Sequence, residues 1–294
     1  MIDLPSRPVP ATPPLDERVA ALRARIRGLG SCVVAYSGGV DSSVVLAVAR
    51  EELGERALAV IGRSATYAAS ELELALAQAG RMGVVPRVVA TAELDDARFA
   101  DNPSNRCYFC KGELYVRLSA LARAEGYAAV LDGTNADDLA DHRPGRRAAD
   151  EHAVLSPLAE LGFAKADVRA LATRLGLPSA DKPAMPCLSS RFPYGSRISA
   201  EQLAQVEAGE GWLRARGFRD VRLRHHGTVA RLELDVSELA RLAAEPLRGE
   251  CVAALKALGF AYVTLDLQGF RSGSLNETLP AASSSRPIAL RVPS

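Results

Sequence analysis

The first part of the chain alternates between two spacings of apolar residues. Short apolar or β-branched runs bounded by glycine or charge predict buried strands at 32–36, 57–61, 87–91 and 128–132. Apolar residues at helical spacing predict helices at 42–53, 68–82, 112–125 and 165–175. Strands that alternate with helices are typical of βαβ units, so we expect an α/β fold with a doubly wound parallel sheet. Such sheets bind ligands at the carboxyl ends of their strands.

Beyond residue 199 the order of predicted elements changes. A helix at 200–216 precedes strands at 220–224 and 229–235, helices at 236–244 and 247–258, and a last strand at 261–267. This order predicts a second, smaller α+β domain. We place the first domain at 16–185 and the second at 186–275, with flexible termini at 1–15 and 276–294. A connector rich in Pro, Ser and Gly, at 178–199, joins the two patterns.

Composition and charge restrict the class of protein. Of the 294 residues, 48% are hydrophobic and 24% are charged, which is typical of a globular chain and not of a disordered or fibrous one. The 36 Lys and Arg residues balance 35 Asp and Glu, so we expect no nucleic-acid partner held by phosphate contacts. No apolar run reaches the ~20 residues that span a membrane, and the first residues contain no apolar segment of a secretory signal. We therefore expect no membrane partner.

A glycine- and serine-rich loop follows the first predicted strand and precedes a helix. It reads Ser37-Gly38-Gly39-Val40-Asp41-Ser42-Ser43, and we call it the phosphate loop. Glycines at such a turn let backbone N–H groups approach an anion, and the helix N-terminus adds a favourable dipole. The loop lacks the Gly-Lys-Ser/Thr ending of a Walker A motif and resembles the SGGxDS motif of the PP-loop ATP pyrophosphatases. The resemblance implies a Rossmann-like fold in which these seven residues bind ATP, and adenylation with release of pyrophosphate.

Two further loops lie at the same predicted edge of the sheet. The segment 132–138 follows the fourth strand, and its acidic pair is suited to placing Mg²⁺ on the phosphates. The alternative is an Asx turn that caps a short helix. The segment 61–64 ends the second strand, where PP-loop enzymes usually bind adenine. Beyond the phosphate loop, the residues expected to bind ATP are therefore Arg63, Ser64, Gly133, Thr134 and Asp137.

Five cysteines are an odd number in a chain too long to need disulfide staples, and a reducing cytoplasm is the expected compartment. There, a CxxC is more often a metal or redox site than a disulfide. Cys187 lies on the connector and is a candidate nucleophile or ligand. Cys32 and Cys251 lie in apolar patterns, so we expect both in the core.

The CxxC consists of Cys107 and Cys110, just before the helix predicted at 112–125. Both thiols face one way if the helix begins just before them. A helix N-terminus with Arg106 and Lys111 nearby favours thiolate over thiol. The alternative is an incidental pair of buried thiols.

The sequence from about residue 16 to 274 resembles the LarE family, the sulfur-inserting synthases of the nickel-pincer nucleotide cofactor used by lactate racemase. Four segments carry the resemblance: the phosphate loop, 132–145, Cys-Leu-Ser-Ser-Arg at 187–191, and Gln-Gly-Phe-Arg-Ser-Gly-Ser at 268–274. The resemblance implies that ATP adenylates a carboxylate of pyridinium-3,5-dicarboxylic acid mononucleotide. It further implies that sulfur replaces the activated oxygen, and that the protein is a homo-oligomer acting on a small-molecule nucleotide.

The resemblance also implies a source for the sulfur, which differs between two branches of the family. One branch gives up its own cysteine, at the position matching Cys187, and keeps dehydroalanine there. The other has two more cysteines, and the three hold a [4Fe–4S] cluster that carries a labile sulfide. Because this chain has the CxxC, the resemblance implies that Cys107, Cys110 and Cys187 are the catalytic residues and cluster ligands, supplied by a sulfide donor. A zinc site formed by the same cysteines and a histidine is the alternative metal centre.

Two arginines alternate along the first predicted strand of the second domain. Arg222 and Arg224 share one strand face and suit a phosphate or carboxylate, which arginine binds bidentately. A solvated strand face is the alternative. The LarE resemblance implies that they line a phosphate site and that Glu210 binds a metal. We expect Arg191, Arg222 and Arg224 to bind the substrate.

Two other functions fit parts of the same pattern. A tRNA thiolase of the PP-loop superfamily also combines an ATP loop with CxxC-bound iron–sulfur clusters, but it needs an RNA surface, which the balanced charge disfavours. Tight, salt-sensitive tRNA binding would favour it. A non-catalytic nucleotide sensor gives no role to three cysteines near the ATP loop. Binding of ATP without release of pyrophosphate would favour the sensor.

Overall fold

The computed structural model of the chain describes residues 13–140, 144–182, 186–271 and 273–278. The chain divides into two units, Met1–Glu207 and Ala208–Ser294. The termini predicted to be flexible lie largely outside the described residues. No helix of the described ranges is long and apolar enough to span a bilayer.

Four short strands form one parallel sheet in the first unit. They are β1 (Cys32–Ala35), β2 (Ala57–Arg63), β3 (Arg87–Ala90) and β4 (Ala129–Leu131). The strand order is β3-β2-β1-β4, and each neighbouring pair is parallel. The chain winds outward from β1 in both directions, which makes the ends of β1 and β4 a switch point of the kind that binds ligands. The predicted α/β fold with a parallel sheet is confirmed.

Helices cover both faces of this sheet. They are α1 (Leu15–Arg27), α2 (Val40–Leu53), α3 (Ala69–Arg81), α4 (Ala97–Ala100), α5 (Arg106–Glu125), α6 (Asp137–Ala140), α7 (Pro144–Glu151), α8 (Pro157–Glu160) and α9 (Lys165–Arg174). Because side chains alternate along a strand, Val34 belongs to one buried cluster with Leu46 of α2 and Leu171 of α9. Val33 belongs to another cluster with Tyr115 of α5. The sheet is therefore doubly wound.

Helix α5 begins at Arg106, well before its predicted start at Gly112. Glycine has a low helix propensity, so the sequence pattern weakens there. The helix nevertheless continues through Gly112 because Tyr115 anchors it in the core. As a consequence, Cys107 and Cys110 lie in the first turns of α5, which is the condition for both thiols to share a face.

The connector is bound to the first unit by backbone hydrogen bonds. Leu188 N donates to Thr66 O at 2.9 Å, Gly195 N donates to Asn102 O at 2.9 Å, and Ile198 N donates to Ala100 O at 2.7 Å. The sequence predicted a boundary after residue 185, whereas the observed division falls after Glu207. The reason is that these hydrogen bonds fix a segment whose Pro, Ser and Gly content is typical of a linker.

The second unit is a small α+β fold. It contains the end of α10 (Ala200–Arg214), then β5 (Arg222–His226), β6 (Val229–Glu233), α11 (Leu239–Ala243), α12 (Leu247–Ala257) and β7 (Tyr262–Leu265). The sheet order is β5-β6-β7, with β5 and β6 antiparallel and β6 and β7 parallel. Leu223, Leu232 and Leu255 are fully or almost fully buried. The order of elements agrees with the predicted one.

Candidate active site

The phosphate loop joins β1 to α2 and contains a position that only glycine fits. Gly38 has a φ of +69°, and a Cβ there would lie 2.6 Å from the Cβ of Ala75 on α3. Two hydroxyls brace the loop, since Ser42 Oγ and Ser43 Oγ donate to the carbonyl oxygen of Gly39 at 3.1 and 2.8 Å. The first N–H groups of α2 have no acceptor within the helix, which suits them to an anion.

The loop after β4 packs directly against the phosphate loop. A Cβ on Gly133 would lie 2.6 Å from the backbone nitrogen of Ser42, so only glycine permits this approach. Asp132 is buried and accepts a hydrogen bond from Thr134 Oγ1 at 2.7 Å, while Lys111 Nζ lies 3.7 Å away. Burial acts to raise the pKa of Asp132, but Lys111 and the hydrogen bonds outweigh it and lower that pKa. Asp132 therefore stays ionised and anchors the loop.

Charged side chains surround the phosphate loop. Lys165, the first residue of α9, pairs with Asp41, whose other carboxylate oxygen accepts a hydrogen bond from Asn135 Nδ2 at 3.0 Å. Lys182 Nζ lies 2.8 Å from Glu71 and 3.5 Å from a carbonyl oxygen of the loop. These lysines place positive charge beside the phosphate loop, which favours the binding of an anion there.

One cavity opens where these loops meet α5. It is lined by Ala35, Ser37, Asp41, Ser42, Lys111, Leu114, Tyr115, Asp132, Gly133, Thr134 and Asp138. Of the predicted acidic pair, Asp138 lines the cavity, whereas Asp137 Oδ2 accepts a hydrogen bond from the backbone N–H of Lys165 at 2.8 Å. The side chains of Val40 and Ser43 are buried in α2 and serve the fold.

The end of β2 carries the two residues expected at adenine. Arg63 is exposed. Ser64 Oγ donates to the buried carboxylate oxygen Oε1 of Glu93 at 2.5 Å, and Thr66 Oγ1 donates to the same oxygen at 2.8 Å. Neither Arg63 nor Ser64 lines the cavity at the phosphate loop. Their contact with adenine stays a prediction.

The three predicted thiols lie close enough to interact electrostatically. Cys107 and Cys187 are exposed, and Cys110 is partly buried. Burial raises the pKa of the Cys110 thiol well above its usual value, and Glu93, Cys187 and Cys107 raise it further. Within the described residues, no set of three Cys, His, Asp or Glu side chains is gathered as a metal site. The thiols are therefore neighbours without being prearranged ligands.

The expectation that the helix start favours thiolate is wrong for Cys110. Lys111 does lower the pKa of Cys110, but desolvation and the neighbouring acidic groups outweigh it. Arg106 is directed elsewhere, because its Nη1 donates to Asn102 Oδ1 at 2.9 Å and its guanidinium lies over the ring of Tyr194. Position next to a cysteine in sequence does not place a cation next to the sulfur.

Cys32 and Cys251 are core residues, as expected. Both are buried, and burial raises the pKa of Cys32 to about 12 and that of Cys251 to about 11. Buried thiols of this kind are inert toward metal ions and electrophiles.

Arg191 holds the backbone around Cys187. It is 1% exposed, and its Nη1 donates to Pro186 O at 2.7 Å and to Cys187 O at 3.2 Å. The same nitrogen donates to Ser190 Oγ at 2.9 Å. The guanidinium thus shapes the segment that presents the thiol, and the expected contact between Arg191 and substrate stays a prediction.

Arg222 and Arg224 lie buried side by side on β5 rather than on a solvated face. Arg224 Nη2 donates to Glu233 Oε2 at 2.7 Å and to Ser274 Oγ at 2.9 Å. The guanidinium of Arg222 lies 4.9 Å from the ring centre of Phe270. The segment 268–274 therefore contributes Phe270 and Ser274 to the surroundings of both arginines.

Glu210 serves the fold of the second unit. It is fully buried, pairs with Arg214 Nη2 at 2.6 Å and accepts a hydrogen bond from Leu223 N at 3.1 Å. These contacts join α10 to β5, and the expected metal contact of Glu210 stays a prediction.

Comparison with known proteins decides the family. The chain is 46% identical over 265 residues to an uncharacterized protein of Synechocystis sp. (strain PCC 6803), covering 90% of this chain and 99% of that protein. It is 39% identical over 269 residues to the pyridinium-3,5-bisthiocarboxylic acid mononucleotide synthase of Lactiplantibacillus plantarum, covering 91% of this chain and 97% of the relative. The chain belongs to the LarE family.

This LarE protein is also similar, more distantly, to other enzymes that use ATP. The chain is 30% identical over 174 residues to the NH(3)-dependent NAD(+) synthetase of Chlorobaculum tepidum, covering 56% of this chain and 61% of that enzyme. No protein-family model matches the chain. The protein is thus an ATP-dependent synthase with the PP-loop fold.

Some residues of the LarE site have no motif of their own. Lys165, Lys182 and Glu93 take their positions from partners far along the chain. The sequence shows Lys111 next to the CxxC, but not that it lines the cavity. It does so because α5 begins at Arg106 rather than at Gly112. The signal that could have indicated the lysines is a general one, because a loop that binds an anion is expected to have cations beside it.

Proposed function

We propose that this LarE protein uses ATP to insert sulfur into a carboxylate of pyridinium-3,5-dicarboxylic acid mononucleotide, a step toward the nickel-pincer nucleotide cofactor of lactate racemase. The name of the Lactiplantibacillus plantarum relative supports this substrate class. The observation that carries the proposal is on α5, where Lys111 lines the cavity at the phosphate loop and the preceding residue, Cys110, neighbours Cys107 and Cys187. A single helix turn joins an ATP site to a group of thiols.

In the first step, a carboxylate oxygen of the substrate attacks the α-phosphorus of ATP. The bond from that phosphorus to the pyrophosphate oxygen breaks, giving an acyl adenylate and pyrophosphate. The N–H groups at the start of α2 hold the pyrophosphate, and Lys111 and Lys165 stabilise the charge that develops on it. Mg²⁺ bound with ATP would be held by Asp138, the carboxylate of the acidic pair that lines the cavity.

In the second step, a sulfur nucleophile bonds to the activated carbonyl carbon and the bond to AMP breaks. The donor set suits an iron–sulfur cluster, because three thiolates leave one iron of a [4Fe–4S] cluster without a protein ligand. Cys107, Cys110 and Cys187 would hold it, and a bound cluster would supply a labile sulfide renewed by a sulfide donor. Iron would take the place of the thiol protons, and its positive charge would compensate the thiolate charge that burial disfavours at Cys110.

The second unit is proposed to bind the phosphate of the mononucleotide. Arg222 and Arg224 are paired on one strand, and their guanidinium groups offer charge-assisted hydrogen bonds. Ser274 Oγ, which already contacts Arg224, adds a hydroxyl at the same place. We propose that the protein works as a homo-oligomer.

The test is a reaction of anaerobically purified protein with ATP, Mg²⁺, sulfide and the dicarboxylic acid mononucleotide. Pyrophosphate release that depends on the mononucleotide, with a product whose mass shows oxygen replaced by sulfur, is expected. ATP binding with no such release would favour a nucleotide sensor. Salt-sensitive tRNA binding with transfer of sulfur to tRNA would replace the proposal by a tRNA thiolase.

A further inference from the structure

A buried carboxylate lies between the two segments that carry the three thiols. Glu93 follows β3 in the short turn Glu93–Asp95 and is 3% exposed. Its Oε1 accepts hydrogen bonds from the hydroxyls of Ser64 and Thr66. Its Oε2 is buried and has no hydrogen-bond partner among the described residues. Burying a carboxylate is unfavourable unless its contacts compensate, so the partners of Glu93 matter for what it does in the fold.

Through Thr66 the carboxylate reaches the segment of Cys187. The Thr66 side chain is bound by Glu93, and the Thr66 carbonyl oxygen accepts a hydrogen bond from Leu188 N at 2.9 Å. Thr66 and Leu188 are both buried. Leu188, which follows Cys187, is therefore hydrogen-bonded to Thr66, and Thr66 is in turn hydrogen-bonded to Glu93.

The same turn is tied to the helix that carries the CxxC. Ala92 N donates to Glu113 Oε1, on α5, at 3.2 Å. Cys110 lies one turn earlier on α5, so this hydrogen bond fixes the turn of Glu93 to the part of the helix that carries the CxxC. Glu93 is thus connected to α5 on one side and to the Cys187 segment on the other.

We propose that Glu93 is a positioning residue that holds Cys187 near the CxxC through Ser64 and Thr66, before any cluster or sulfide is bound. Only the use of the gathered thiols rests on the proposed function. Other contacts hold the connector farther along, since Asn102 Nδ2 donates to Pro193 O at 2.7 Å. Loss of the carboxylate is therefore expected to loosen the chain at Cys187 while the rest of the connector stays in place.

Cross-linking of thiols in the metal-free protein tests this role without iron or substrate. In a Cys107→Ser background, a short bifunctional alkylating reagent joins Cys110 to Cys187, and peptide mass spectrometry gives the yield. Glu93→Ala is expected to lower the yield about fivefold or more, because the buried hydroxyl of Thr66 and the partly buried hydroxyl of Ser64 lose their acceptor. Glu93→Gln keeps an oxygen acceptor, and its yield is expected to stay within about twofold of the parent. Asp95→Asn, an exposed residue of the same turn, is the charge-matched control and is expected to have no effect.

Thr66→Val provides a second variant that keeps the shape and the carbonyl oxygen of Thr66, and it is expected to lower the yield as Glu93→Ala does. A Glu93→Ala yield equal to the parent's would overturn the positioning role, and so would an equal loss in Glu93→Gln. Absence of the cross-link in the parent would overturn the gathering of the thiols itself. Cross-linking that depends on Glu93, in a protein that binds no iron, would uphold the inference and contradict the cluster of the proposed function.

Discussion

Gly133, in the loop after β4, lies so close to Ser42 that a Cβ at position 133 would stand 2.6 Å from the Ser42 backbone nitrogen. The contact sets the loop onto the first turn of α2, whose N–H groups we propose bind the phosphates of ATP. Real Cβ atoms do not approach a backbone nitrogen so closely, so any side chain at 133 must displace the phosphate loop. The proposed ATP site depends on this approach of two backbones.

We therefore expect Gly133→Ala to raise the KM for ATP roughly tenfold or more, because charge-assisted contacts to the phosphates are lost with the displaced turn. The measurement is pyrophosphate release as a function of ATP concentration. Gly80→Ala in α3 is the control, since a Cβ at Gly80 meets nothing within 4 Å. It is expected to keep the KM and to stabilise the helix by about 0.5–1 kcal/mol. An unchanged KM in Gly133→Ala would remove the loop after β4 from the ATP site.

The pairing of Asp41 with Lys165 predicts coupled effects on activation. Lys165→Met is expected to lower kcat/KM for pyrophosphate release about 10- to 100-fold, because a cation near the leaving group is lost. Asp41→Asn removes the charged partner of Lys165. The change in kcat/KM that Asp41→Asn causes is therefore expected to vanish in the Lys165→Met background. Lys256→Met, at an exposed site on α12, is the control. Strictly additive losses would mean that the two side chains act independently.

The sequence reveals those parts of the site whose residues follow one another along the chain. The phosphate loop is predictable because its glycines, serines and helix start follow one another, and the same holds for the CxxC. Lys165 is different, because it meets Asp41 across 124 residues of sequence. Glu93 lies in an acidic run typical of a surface, and only the hydroxyls of Ser64 and Thr66 explain its burial.

The connector shows the same limit. Its proline, serine and glycine content is typical of a flexible linker, and composition carries no information about the carbonyl oxygens that fix it. Thr66 O and Asn102 O are supplied by loops after β2 and before α5. The observed boundary after Glu207 therefore depends on tertiary contacts, which composition does not show.

The arginines of β5 predict a selective loss of substrate affinity. Arg222→Ala is expected to weaken binding of the mononucleotide about 10- to 100-fold, the effect of one charge-assisted contact, with the affinity for ATP unchanged. Isothermal titration with each ligand separates the two. Arg219→Ala removes an exposed arginine of the same unit and is expected to change neither affinity. Equal affinity for the mononucleotide in Arg222→Ala and the parent would leave Arg222 a structural residue.

The environment of Cys110 predicts the pH dependence of its alkylation in the metal-free protein. Burial raises its pKa, and Glu93, Cys187 and Cys107 add to the effect. Thiolate, the reactive form, is therefore scarce at pH values where a free cysteine already reacts, and the rate rises only at higher pH. Mass spectrometry of iodoacetamide-labelled peptides measures the rate against pH, with the urea-unfolded protein as reference. A folded-state profile at or below the unfolded one would contradict the burial of this thiol.

The three thiols predict the iron content of the protein. Purified without oxygen, it is expected to be brown and to hold about four irons per chain, because three thiolates complete the protein's share of a [4Fe–4S] cluster. Cys107→Ser, Cys110→Ser and Cys187→Ser are each expected to lose the cluster. Cys32→Ala and Cys251→Ala remove buried thiols and are expected to keep it. Iron analysis and the visible spectrum are the measurements.

The two sources of sulfur make opposite forecasts for the same preparations. A cluster that is resupplied with sulfide supports repeated turnover, and residue 187 keeps its full mass. A sacrificial Cys187 allows one turnover, because its Cβ–Sγ bond breaks and dehydroalanine remains, lighter by hydrogen sulfide. In that case Cys107→Ser and Cys110→Ser would retain the single turnover. A colourless anaerobic preparation that resists cluster reconstitution and carries dehydroalanine at position 187 would therefore overturn the cluster, while ATP-dependent sulfur insertion would stand.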